Sequence, residues 1–305
     1  MSARLSPSTL VLLTMPPLLW ACNALVGRWA HGQVPPMTLN LLRWVIAFLI
    51  LLPLAYRVLR PGSLLWSHWR RISVLGLLSI GAYNALQYMA LQTSTPINVT
   101  LVASSMPVWM LVLGRLLHGV RIQGRQLLGA LLSIIGVLLV LSRGDWEVLT
   151  HFQFVPGDGY VLLATLAWAH YSWMLARPEE PAELRGDWSA FLLGQVFFGL
   201  GWSTLFTAGE WALTPAHMVW SWPVVAAIVF IGAGPAVLAY RCWGAGIQRV
   251  GPQTASIFIN LTPLFAALLS TLFLGEAPQG YHLLAFVLIV GGIVVSSRVS
   301  RAARP

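Results

Sequence analysis

Lysine is absent from this chain, and only 9 of its 305 residues are acidic. Without lysine a Walker A loop has no cation to hold phosphates, and no H-E-x-x-H, C-x-x-C or G-x-S-x-G run occurs. No catalytic residue, metal or cofactor is therefore expected, and an intramembrane enzyme would have only His170 beside one of the many serines as raw material. The two cysteines, Cys22 and Cys242, lie in apolar runs and read as small buried hydrophobes. Charged residues of all kinds reach 9%, against about 25% in soluble domains.

What is present is apolar: 57% of the residues are hydrophobic and the mean hydropathy is +0.75. A bilayer core of about 30 Å takes roughly 20 such residues per helix. Apolar runs between turn residues predict spans near 8–29, 38–59, 72–92, 96–117, 124–142, 158–177, 189–208, 222–243, 253–274 and 279–297, so the expectation is an all-α integral membrane protein of ten transmembrane helices. The +9 charge is carried by arginines scattered singly or in pairs between these runs, the pattern of loop anchors rather than of a nucleic-acid surface. All arginines but Arg28, Arg43 and Arg143 fall on one side of this layout, which places the N- and C-termini in the cytoplasm. The first apolar run lacks an A-x-A-like cleavage site and is kept as a span.

A shift of 156 residues superimposes the third to fifth runs on the eighth to tenth without a gap. Gly76/Gly232, Gln92/Gln248, Pro96/Pro252, Pro107/Pro263, Gly119/Gly275, Gly124/Gly280 and Gly136/Gly292 coincide. Chance likeness between apolar runs matches leucine, isoleucine and valine, whereas these matches are prolines, glycines and a glutamine at helix ends and kinks. The first and sixth runs share Leu19-Trp20-Ala21 and Ala167-Trp168-Ala169, which makes each unit five helices long: residues 1–150 and residues 151–305. Five is odd, so the second unit enters the membrane from the opposite side, as in inverted-repeat transporters.

The Trp20-x-x-Asn23 turn, Arg43, the Gly119–Gly124 and Gly275–Gly280 connectors with Glu276, and the paired prolines Pro107 and Pro263 resemble the drug/metabolite transporter superfamily, in its ten-helix branch with two EamA-type repeats. Within that branch the chain is similar to YddG-type exporters of aromatic amino acids through its tryptophan-rich first, fourth and sixth helices. The resemblance implies a central cavity between the repeats, the fifth and tenth helices at the periphery, and exchange or facilitated transport across a bacterial inner membrane. The partners implied are a small-molecule substrate and the lipid bilayer, with the protein a monomer or homodimer.

Every acidic residue falls in a loop or at a span end, so no membrane carboxylate is available for proton coupling, and a net-neutral solute is expected. Helical spacing puts Trp20 and Asn23, Tyr83 and Gln87, Trp109 with Ser105, and Trp168 with Thr165 and Ser172 on single faces. Such aromatic walls with a few amides suit a zwitterion bearing a large apolar side chain, though belt and packing roles stay open for the same residues. His170 is a substrate-site candidate that titrates near neutral pH, or else a packing histidine. Pro107 and Pro263 are candidate hinges, or packing kinks. Arg43, inside the second span, would snorkel outward or pair with a loop acid. Other metabolites, such as nucleosides, nucleotide sugars or drugs, remain alternatives to amino acids.

Overall fold

The computed structural model describes residues 6–30, 32–90, 93–94, 96–151, 153–274 and 279–297. Gln92, Gly275, Glu276, Pro278 and the arginines at 4, 298, 301 and 304 lie outside the described residues. Among the described residues all long elements are helices: α1 (Pro7–Trp29), α2 (Pro36–Ala55), α3 (Trp69–Gly76), α4 (Tyr83–Ala90), α5 (Pro96–Ala103), α6 (Met106–His118), α7 (Gly124–Leu141), α8 (Pro156–Ala176), α9 (Trp188–Leu213), α10 (Trp222–Ile231), α11 (Ala239–Val250), α12 (Pro252–Ile259), α13 (Thr262–Leu274) and α14 (Gly280–Ser297). Eight helical stretches are long and apolar enough to cross a membrane. The expected spans 72–92 and 158–177 are not among them: the former carries Asn84 and Gln87, and the latter His170, Tyr171 and Ser172.

Proline fixes where the long rods break. A proline ring clashes with the carbonyl four residues back and offers it no N–H. Pro107 would strike Ala103 and Pro263 would strike Ile259; α5 ends at Ala103 and α12 ends at Ile259. Each proline then sits in the first turn of the next helix, where its missing donor costs little. The expected kinks are thus full breaks, two short helices in place of one bent one.

Two π-helical turns, Leu77–Ala82 and Gly232–Leu238, join α3 to α4 and α10 to α11. The bounds of α12, α13 and α14 are those of α5, α6 and α7 plus 156.

Polar ties hold the two ends of the bundle. At one end Arg249 donates to Ser8 (3.0 Å), Gln126 to Gln253 (2.9 Å), and Arg71 pairs with Glu179 (2.9 Å) and the buried Glu180 (2.8 Å). At the other, Glu210 caps α2 through the Met37 and Thr38 N–H groups (2.9 and 3.0 Å), and the buried Asp158 accepts from Ser94, Asn98 (3.3 Å) and the Val155 N–H (2.9 Å). These carboxylates satisfy helix-end donors and so are spent on structure.

Packing differs between the two ends. Toward the Arg249 end, residues 252–258 are all buried, as are Met110, Leu111 and Gly114. Toward the Asp158 end, residues 98–103 and 262–267 are half-exposed on every face. The bundle is closed at the Arg249 end and loosened at the other. Along its flank α7 crosses α14 so closely that a Cβ on Gly129 would lie 2.6 Å from the Gly292 carbonyl, and one on Gly136 2.9 Å from that of Ala285.

Candidate functional site: an aromatic hub between the halves

Trp168, 1% exposed, lies near the middle of α8 between the two ends of the bundle. Five rings surround its indole: Tyr83 at 4.8 Å, Tyr171 at 5.2 Å, Trp20 at 5.3 Å edge-on, Tyr240 at 5.4 Å edge-on and Trp243 at 5.8 Å. Trp20 and Tyr83 come from the first half of the chain and the others from the second. Tilted and edge-on geometries are those favoured by aromatic quadrupoles, worth about 0.5–1.5 kcal/mol per pair beyond area burial.

The polar edges of these rings are tied to backbone that the π turns release. A π turn leaves carbonyls without their helical donor. Tyr240 OH donates to the Ser79 carbonyl (2.7 Å) in one turn, and Trp20 Nε1 to the Pro235 carbonyl (3.3 Å) in the other. Residues 79 and 235 are 156 apart, so the two halves offer the equivalent carbonyl to each other's aromatics. Trp243 Nε1 donates to Ser172 Oγ (3.2 Å) and Gln87 Nε2 to Tyr83 OH (3.1 Å). The Trp168 Nε1 finds no acceptor among the described residues.

Beside the hub lies a cation. Arg43 is 2% exposed; its Nη1 reaches Asn23 Oδ1 (3.3 Å), its Nη2 reaches Asn40 Oδ1 (3.4 Å), and its guanidinium covers Trp44 at 5.0 Å. Trp44 in turn meets Tyr240 edge-on at 4.9 Å. Snorkelling and pairing with a loop acid were the expected fates of this side chain. Neither occurs among the described residues, because the two asparagines and the Trp44 face hold it inside the bundle.

The expected residues thus divide. Trp20, Tyr83 and Trp168 meet in the hub, Gln87 is tied to Tyr83, and Asn23 binds Arg43. Trp109 lies apart on α6, half-buried, with its Nε1 on Ser105 Oγ (3.1 Å). His170, two residues beyond Trp168, is turned about 200° away around α8. Its buried Nδ1 has no hydrogen-bond partner among the described residues. Tyr171 and Trp243 join the hub without having been singled out in the sequence, and Tyr240, whose role the sequence left open, joins it too; the spacing of three between Tyr240 and Trp243 was their one local signal.

The sequence profile of the EamA-like transporter family matches residues 7–142 and, a second time, 155–298. The chain belongs to the EamA-like transporter family. This EamA-like transporter is 25% identical over 291 residues to the aromatic amino acid exporter YddG of Ancylobacter novellus, covering 93% of this chain and 95% of that one. It is 26% identical over 304 residues to a probable amino-acid metabolite efflux pump of Salmonella typhimurium, covering 94% and 95%. An uncharacterized transporter of Bacillus subtilis, YyaM, is 28% identical over 230 residues, 75% of this chain and 73% of the other. A crystal structure at 24% identity superposes with a TM-score of 0.75 over 94% of this chain and 96% of that one, and so shares the fold. The EamA-like transporter is a multi-pass membrane protein of the drug/metabolite transporter superfamily.

Proposed function

We propose that this EamA-like transporter moves small net-neutral organic solutes, aromatic and other amino acids foremost, across a bacterial inner membrane by alternating access. The observation that carries the reading is the hub at Trp168, where rings from both halves converge at the boundary between a closed and a loosened end. A site that is alternately exposed to two sides needs contacts from both moving halves, and aromatic faces give an apolar side chain contact area without fixing its identity. The names of two relatives, an aromatic amino acid exporter and an amino-acid metabolite efflux pump, favour amino acids over nucleosides, nucleotide sugars or drugs.

In this reading the membrane domain has ten spans in two oppositely oriented five-helix repeats, residues 1–150 and 151–305, with both termini cytoplasmic. Three observations support it. The family profile matches twice, helix bounds recur at an offset of 156, and Gly129 meets Gly292 while Gly136 meets Ala285, two contacts that the same offset exchanges. The α3–α4 rod and α8 join the eight apolar spans because Gln87 on the one and Ser172 on the other bond rings of the hub rather than face lipid. Pro107 and Pro263, at matched helix breaks, are the hinges, and the protein works as a monomer or homodimer without a cofactor.

Liposomes reconstituted with the purified chain and loaded with amino acid test the proposal. Counterflow of labelled phenylalanine or tryptophan is expected, faster than that of threonine, and unaffected by an imposed pH gradient. No flux of any amino acid, or flux that requires the pH gradient, refutes it.

A further inference from the structure

We infer that Arg43 is an anion-recognition site that grips the carboxylate of the transported solute. The site rests on the reading of the bundle as a solute path, and it narrows the cargo to molecules that pair a carboxylate with an apolar body.

A buried guanidinium without a counter-ion is costly in any protein and more so between membrane helices. Elsewhere in this chain the cost is met: Arg71 and Arg185 both reach Glu180. Arg43 has no carboxylate within ion-pair distance among the described residues, only two neutral amide oxygens at 3.3 and 3.4 Å. Both bonds are longer than a charge-assisted N–H···O bond of about 2.7–2.9 Å. The Nε is buried and finds no acceptor among the described residues. A guanidinium offers its donors as a planar fork that matches a carboxylate edge, and here the fork is only partly engaged.

The surroundings hold the fork in place and leave a way in. Asn40 is anchored by its own amide, which donates to the Ile80 carbonyl (3.1 Å) and Ser203 Oγ (3.3 Å), and Trp44 supports the guanidinium face. Asn23 is different: it is half-exposed on the loosened side, one turn from Gly27, where a Cβ would have no atom of another element within 4 Å. A carboxylate arriving from that side would displace the Asn23 oxygen and take the fork. The solute's apolar body would then lie against Trp44 and Tyr240, which lead to Trp168.

The test uses the full-length purified protein and three probes: phenylalanine, phenylpropanoate, which lacks the ammonium, and phenylethylamine, which lacks the carboxylate. Thermal unfolding in detergent reads binding without requiring transport. Phenylalanine and phenylpropanoate are expected to raise the unfolding temperature of the wild type, and phenylethylamine is not. Arg43→Gln should weaken both carboxylates about 10- to 100-fold, and Arg43→Lys, which keeps the charge but not the fork, should restore part of the loss. The wild-type preference for phenylpropanoate over phenylethylamine stands as a readout even if Arg43→Gln does not fold. Equal binding of the two by the wild type, or undiminished carboxylate binding by Arg43→Gln, overturns the site. Flux separates the two proposals: liposomes that move no amino acid while the Arg43-dependent preference persists refute the transport reading alone. Liposomes that move phenylalanine and phenylethylamine alike refute the Arg43 site alone.

Discussion

Replacing Gly292 with alanine tests the packing of the two halves with a single methyl group. The new Cβ would lie 2.5 Å from the Gly129 carbonyl oxygen and 3.2 Å from the Ser133 nitrogen, whereas ordinary contact begins near 3.4 Å. Both obstacles are backbone, so no side chain can swing aside, and α7 and α14 must part by close to 1 Å. A gap of that size forfeits about a quarter to a half of the dispersion energy at each facing atom pair. Overpacking of this kind costs about 1–3 kcal/mol. At the midpoint this is a fall in unfolding temperature of about 2 to 5 °C. Gly291, the preceding residue on the same helix, has nothing within 4 Å of its hypothetical Cβ and is the control. Its alanine variant should unfold at or slightly above the wild-type temperature, since alanine favours the helix. The measurement is thermal unfolding of both variants in one detergent. Equal unfolding temperatures for the two would refute the close crossing.

Trp168→Ala removes the indole that five rings surround and should cost about 3–5 kcal/mol, well beyond Trp109→Ala at its half-buried site; similar unfolding temperatures for the two would remove Trp168 from the hub's centre. The double variant Pro107→Ala, Pro263→Ala regains N–H groups that can bond the Ala103 and Ile259 carbonyls, so each pair of short helices should fuse. Slower exchange in liposomes at unchanged expression is expected, and an unchanged rate would cancel the hinge assignment. Asp187 caps α9 through the Ser189 and Ala190 N–H groups (3.0 and 3.1 Å). The hydrogen bond from the Ser189 hydroxyl, aided by those two N–H groups, holds its carboxyl below the usual aspartate range. A lowered folded value means the stabilisation is complete above the unfolded value of about 4 and is lost as pH falls through the folded one. Asp187→Ala should therefore cost about 1 kcal/mol at neutral pH, and the gap to wild type should close in acid; a gap that persists at low pH would contradict the cap.

Much of the architecture was legible because it is periodic. Apolar run length and the offset of 156 are properties of neighbours along the chain, and the offset reaches down to the last residue of matched helices. The proline breaks were legible in place but not in kind, since whether a helix bends or stops depends on what packs around the freed carbonyl. Trp20, Tyr83 and Trp168 could be found from helical spacing. Tyr171, Tyr240 and Trp243 could not, because their ring contacts join residues brought together only by the bundle. Arg43 was seen and misplaced: the acceptors that keep it inside, Asn23 and Asn40, look unremarkable in a sequence until α1 and α2 are side by side. His170 is the reverse case, a chemically suggestive residue that the helix turns away from Trp168.

The crossing of α7 with α14 has a consequence for how such a protein could arise. Gly129 touches Gly292 and Gly136 touches Ala285, and the offset that turns the first contact into the second also exchanges the two helices. The surface therefore fits a reversed copy of itself. A gene half this length, whose product inserted in both directions, would already encode the whole junction. Fusing two such genes would add a guaranteed one-to-one ratio and leave each copy free to diverge, so that a tryptophan such as Trp243 need appear on one side only.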